Sequence, residues 1–107
     1  MKQRPEPLSK PSAEAALEDL ASALAALKRP QEVRAFLDDL CTPAELEAMS
    51  DRWKVVPLLR DGRPYREIHE RTRVSVTTIG RVARTLERGA GGYDAALRHT
   101  RRSLGHH

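Results

Sequence analysis

The chain has 107 residues with hydrophobic residues at 39% and charged ones at 32%, one domain's worth of sequence by ordinary domain sizes. Only four aromatics (Phe36, Trp53, Tyr65, Tyr93) are present, so the core must be built of Leu, Val and Ala. No apolar run approaches the ~18 residues of a membrane span, Met1 to Pro11 lacks a signal-peptide pattern, and lone Cys41 excludes an internal disulfide or a multi-cysteine zinc site; a cytoplasmic, membrane-free protein is expected.

Met1 to Pro11 holds three prolines without periodicity and is expected as an irregular arm (1–11). Ser12 offers an N-cap, and Leu17, Leu20, Leu24 and Leu27 recur on one helix face, which predicts a first helix over about 13–28. Pro30 opens a second, with Val33, Phe36, Leu37 and Leu40 at helical spacing. Thr42, Pro43 and Glu45 form a capping-box start for a third helix over about 43–61, with Leu46, Met49, Trp53, Val56 and Leu59 on its inner side. Pro57 predicts a kink there, since it removes one main-chain hydrogen bond and crowds the preceding turn. After Asp61-Gly62 come two shorter helices, Pro64 to Arg71 and Ser75 to Arg88; beyond the glycines at 89, 91 and 92, Asp94 caps a last helix ending near Ser103. The expected class is all-α, about six helices in one domain over 12–104, with a tail at 105–107.

Charge divides unevenly. Residues 1–51 hold 6 Lys and Arg against 10 Asp and Glu, whereas residues 52–107 hold 13 against 5, and twelve of those 13 cations are arginine. Clustered cations facing a polyanion release counterions, and the arginine fork matches phosphate and guanine with paired hydrogen bonds.

The segment YREIHERTRVSVTTIGRVAR, residues 65–84, gives that charge a shape. Ile68, Val74, Ile79 and Val82 are what two steeply crossed helices need for a shared core. With these turned inward, Ser75, Val76, Thr77, Thr78, Arg81 and Arg84 fall near or on the outer side of the second helix. This pattern, over 64–88, resembles a helix-turn-helix, whose second helix enters the DNA major groove. Ser75 caps that helix, Thr77 and Thr78 allow close approach with hydroxyls and methyls, and Arg66, Arg81 and Arg84 supply bidentate donors. Two usual features are replaced: His69 stands where a small residue is common, and Arg73 where the turn has glycine. The latter requires a left-handed backbone or a reshaped turn.

Across Phe36 to Leu97, the segments FLDDLCTPAELEAMSDRWKVVPLL, YREIHERTRVSVTTIGRVARTL and GAGGYDAAL resemble the Trp-repressor superfamily, in particular its YerC/YecD-type branch. The resemblance implies a Trp-repressor-like, interlocked homodimer with a helix-turn-helix at each end, bound to a palindromic double-stranded DNA operator. It implies that Arg66 contacts a base and that Ser75 to Thr78 begin the recognition helix. It also implies that Thr42, Arg52, Thr78, Arg81 and Thr85 fall where the Trp repressor builds its tryptophan pocket; Thr42, Arg52, Arg81 and Thr85 are the candidate pocket here. The residue after the second arginine is glycine in the tryptophan-responsive repressor and Val82 here. Its isopropyl group intrudes on an indole-sized space, so L-tryptophan is not expected as corepressor.

The expected function is a sequence-specific DNA-binding transcriptional regulator, a repressor. The alternatives are a protein-interaction module that docks its basic hairpin on an acidic partner, and a repressor gated by an unknown small ligand. No metal site is expected, since His69, His99, His106 and His107 lack ligand spacing. No cofactor and no catalytic residue is assigned; no partnered base stands by Cys41 and no carboxylates pair.

Overall fold

The computed structural model of the chain describes residues 6, 7 and 9–103, and these contain helices and turns but no strand. The helices are α1 (Lys10–Ala26), α2 (Pro30–Leu40), α3 (Pro43–Arg60), α4 (Tyr65–Thr72), α5 (Val76–Arg88) and α6 (Gly92–Ser103). The all-α class and the six expected helices are therefore present. None of the described helices is long and apolar enough to cross a membrane. The chain divides after Thr42 into two compact units.

In the N-terminal unit, α1 begins one capping serine earlier than expected. Ser9 is the N-cap and its Oγ accepts the Ser12 N–H at 3.3 Å. Pro11 then sits at the second helical position, where its missing N–H costs no intrahelical bond. The irregular arm therefore ends before Lys10; residues 1–5 and 8 of it, and the tail 105–107 with His106 and His107, lie outside the described residues. Pro30 starts α2 as expected, with Arg29 held extended before it. Neither helix contains a buried residue. Leu20, Leu24, Leu27, Val33, Phe36 and Leu37 are half-buried, while Leu17 is 65% exposed.

The C-terminal unit is built around α3, which packs against α4, α5 and α6, while α4 and α5 also pack on each other. Its buried residues are Val55, Val56, Ile68, Val74, Ile79, Val82 and Leu97, with Leu58, Leu59, Leu86 and Tyr93 set around them. All four residues expected to fill the hairpin core, Ile68, Val74, Ile79 and Val82, are among them. The inner face of α3 agrees with expectation at Val56, which is fully buried, and at Leu59, which packs on the core, and differs elsewhere. Val55 and Val56 are both fully buried, whereas Met49 and Trp53 are 39% and 37% exposed. Successive helical residues point about 100° apart, so burying both valines needs neighbours across a wide arc. Within this unit, α4 to α6 supply that cover toward the C-terminal half of α3, where periodicity names Val56 and Leu59 but misses Val55; it also extends the face to Met49 and Trp53, which are exposed.

α3 continues through Pro57 as one helix to Arg60 and is closed by the turn at Gly62. There the Gly62 N–H reaches the Leu59 carbonyl at 3.0 Å and the Arg63 N–H reaches that of Leu58 at 3.1 Å. This closing pattern needs a left-handed residue, and Gly62 provides it with φ 77°. α6 starts at Gly92, ahead of Asp94, so Asp94 is a first-turn residue rather than the cap. Its carboxylate is engaged elsewhere: Arg60 Nε and Nη2 donate to it at 2.8 and 2.7 Å.

Candidate nucleic-acid interface

α4 and α5 are joined by Arg73, Val74 and Ser75 alone, and this turn is tightly bonded. Arg73 is left-handed, φ 67° and ψ 9°, and its N–H reaches the His69 carbonyl at 2.8 Å. For a residue with a Cβ that conformation costs roughly 1–2 kcal/mol. The Thr72 hydroxyl donates to the Ile68 carbonyl at 2.7 Å and accepts the Val74 N–H at 3.1 Å. The Val74 carbonyl accepts from His69 Nδ1 at 2.7 Å, which places the proton on that nitrogen. His69 thus has a role that sequence reading missed. It stands where a small residue is common, and its ring closes the turn instead.

The turn delivers α5 with its first residues outward. Ser75 is the N-cap; its Oγ accepts the Thr78 N–H at 3.1 Å and its hydroxyl bonds the Thr78 hydroxyl at 3.0 Å. Val76 is 51% exposed, Thr77 is exposed and Thr78 half-buried. Arg81 and Arg84 are exposed on α5, as is Arg66 on α4. Between the helices, the Arg84 guanidinium and the Tyr65 ring both lie over Gly80, at 3.6 and 3.9 Å from where a Cβ would stand. A small residue there lets side chains of the two helices converge.

Charge pairing sorts the arginines of this unit into two sets. Arg60 is bonded to Asp94, and Arg63 and Arg71 flank Glu67 at 3.6 and 3.3 Å. Arg66, Arg73, Arg81 and Arg84 have no acidic partner among the described residues. These four lie on the helix-turn-helix and are available to an external anion, as is Arg88 at the end of α5; Arg52 of α3 is likewise without an acidic partner among the described residues. An exposed hydroxyl, an exposed isopropyl group and unpaired guanidinium forks are the chemistry that phosphates, thymine methyls and guanine edges accept.

The one titration clearly shifted among these groups belongs to the tie between α3 and α6. Hydrogen bonds from Arg60 hold the Asp94 carboxyl below the ordinary aspartate value, against an opposing desolvation, and the same contact raises Arg60.

The second expected constellation takes residues from both units. Thr42 lies in the N-terminal unit and Arg52, Arg81 and Thr85 in the C-terminal one. Thr85 donates its hydroxyl to the Arg81 carbonyl at 3.1 Å and lines a cavity of about 320 Å³ together with Leu86, Ala90, Gly91, Gly92 and Tyr93. That lining carries no charged side chain, and it includes neither Arg52 nor Arg81. Val82 is fully buried in the core with Val55 and Val56, so its isopropyl group faces apolar neighbours.

Known proteins match this arrangement. The model of the Trp repressor protein family matches residues 15–101. The chain belongs to the Trp repressor family. YerC of Bacillus subtilis (strain 168) is 38% identical over 81 residues, covering 76% of this chain and 78% of YerC. A crystal structure of a TrpR-like protein from Eubacterium eligens superposes with a TM-score of 0.74 at 38% identity, over 80% of this chain and 89% of that one. A candidate Trp repressor from Staphylococcus aureus gives 0.75 at 35% identity, over 80% and 86%. The family match thus takes in most of α1 as well as the motif-bearing helices. Membership of the Trp repressor family brings with it a DNA-binding, transcription-regulating helix-turn-helix, here α4, the Arg73 turn and α5.

Proposed function

We propose that this chain is a sequence-specific double-stranded DNA-binding transcriptional regulator, regulatory rather than catalytic, that represses by occupying its operator and excluding polymerase. It acts in the cytoplasm as an interlocked homodimer forming one all-helical domain over 12–104, with one reading head per subunit on a palindromic site. The observation that carries the reading is the set of unpaired arginines around the outward start of α5. Val76 and Thr77 approach bases, with Ser75 and Thr78 holding the helix start; Arg66 reads a base edge, and Arg81 and Arg84 take bases or phosphates. The homodimer is supported by α1 and α2, which carry apolar faces and no buried residue.

L-tryptophan is not the corepressor in this reading. Val82 stands where the tryptophan-responsive repressor has glycine after its second arginine, and its β-branched side chain takes space that an indole between Arg52 and Arg81 would need. DNA binding therefore proceeds without an amino acid.

Selection of bound sequences from a random duplex pool tests the proposal, followed by footprinting of wild type and Arg66→Ala. The expected result is a palindromic site with half-sites about 34 Å apart, and a loss of ~1–3 kcal/mol of discrimination in the variant. Recovery of no preferred duplex, together with capture of an acidic protein by the hairpin, would falsify it. Operator binding measured with and without L-tryptophan checks the last point, and tighter binding with the amino acid overturns it.

A further inference from the structure

Three described residues adopt the left-handed backbone: Gly62 at φ 77°, Gly91 at φ 88° and Arg73 at φ 67°. Beside both glycines the space for a Cβ is open, so at those two turns the backbone conformation alone selects glycine. Arg73 meets the same conformational demand with a long cationic side chain. The turn around it is fixed by the bonds of His69, Thr72 and Val74, and Val74 itself is 3% exposed, so the arginine projects from a rigid base. Arg73 is exposed and has no acidic partner among the described residues, whereas Arg71, two residues earlier, is bonded to Glu67. The carbonyl end of α4 attracts a cation too, but Arg71 in its last turn already serves that end.

We propose that Arg73 is a DNA-backbone contact of the reading head, its guanidinium taking a phosphate at the edge of the groove that α5 enters. The inference rests on the helix-turn-helix reading above and adds to it a residue that motif comparison discounts as a missing glycine. A phosphate is the fitting partner because Arg73 leaves the chain two residues before the α5 cap, off the face that meets base edges, and its planar fork binds a phosphate through two parallel bonds. A left-handed arginine gives up backbone ease in the unbound chain and gains a fixed cation for the bound one.

The test is binding of the full chain to a mixed-sequence DNA duplex at several salt concentrations, with melting temperatures measured alongside. Arg73→Gly and Arg73→Asn both tolerate the left-handed turn without a charge. Each is expected to melt no lower than wild type, to weaken binding about eightfold per head near 0.1 M salt, and to make the log–log salt slope shallower by about 0.9 per head. Arg73→Lys restores the slope. If wild type binds and both neutral variants keep its slope, the Arg73 contact is wrong while the helix-turn-helix reading stands. If the neutral variants melt lower and lose binding only in proportion to the folded fraction, Arg73 serves the fold and the proposal is overturned. If wild type itself does not bind the duplex, both readings fail together.

Discussion

The N-terminal and C-terminal units place comparable apolar residues in different circumstances. In the C-terminal unit seven apolar side chains are buried between α3 and the three helices around it. In the N-terminal unit, Leu17, Leu20, Leu24, Leu27, Val33, Phe36, Leu37 and Leu40 mark helix faces just as regular, and none is buried. The charge differs in the same sense, acidic before residue 52 and basic after it. Periodicity therefore identifies a helix and its apolar side equally well in both units, but what covers that side is a separate question. The C-terminal unit answers it internally; for the N-terminal unit the proposed homodimer answers it with a second copy of the chain.

The largest expected effect tests this contrast directly. Ile79→Ala should cost about 2–5 kcal/mol in denaturant unfolding, because the side chain is fully buried and neighbouring valines cannot collapse into the space. Its partner experiment is Leu24→Ala, a half-buried residue of α1. With a second copy covering α1, the unfolding midpoint depends on protein concentration, and the variant lowers it most at low concentration. Sedimentation then shows Leu24→Ala shifted toward the 12.0 kDa monomer. A concentration-independent midpoint in wild type removes the second copy and makes the N-terminal face a solvated one.

Legibility followed the same division. The helices α2, α3, α4 and α5 were readable to within a residue or two, because proline, threonine and glycine punctuate the chain where helices begin and end. The four hairpin core residues were readable because one short motif leaves few ways to fill a shared core. The face of α3 was readable at Val56 and Leu59 but not at Val55, since burial of two successive residues depends on how many helices surround that turn, which no local spacing records. Asp94 looked like a cap and is an ion-pair partner, because its donor is 34 residues away on Arg60. His69 looked like a departure from the motif and closes the turn through the Val74 carbonyl. At Arg73 the sequence left two outcomes open, a left-handed backbone or a reshaped turn, and the structure has the first.

Two glycines, one inside α5 and one at its C-cap, sharpen the contrast inside the C-terminal unit. At Gly89 a Cβ would lie 2.6 Å from the Thr85 carbonyl oxygen, a backbone atom that cannot step aside. Gly89→Ala should therefore destabilise by about 1–3 kcal/mol. At Gly80 an added Cβ meets only the Arg84 guanidinium and the Tyr65 ring at ordinary contact distances, in the interior of a helix. Gly80→Ala should stabilise by about 0.5–1 kcal/mol, the usual gain of alanine over glycine in a helix. Thermal unfolding of both variants, with opposite signs expected, checks whether α5 is limited by packing at its end and by propensity in its middle. Equal signs would show that the end and the middle of the helix are not distinguished in this way.

The smallest effect concerns how the C-terminal unit holds its last helix. Arg60 and Asp94 tie the end of α3 to the first turn of α6 through two short hydrogen bonds, with both side chains still about two-fifths exposed. Water and salt reach such a pair, so its contribution is modest. Its pH dependence is nonetheless specific in sign. Asp94 titrates below its ordinary value in the folded chain, so the contribution is present above the ordinary aspartate range and is lost as pH falls through the lowered folded value. Arg60 stays protonated throughout, since the contact raises it further. Asp94→Asn keeps the shape and removes the charge. The gap in melting temperature between wild type and this variant should be constant near neutral pH and should close in strong acid. It should also shrink in high salt, and amide exchange should quicken first in α6. A gap that persists unchanged into strong acid means that Asp94 acts through packing at the start of α6 and not through its charge.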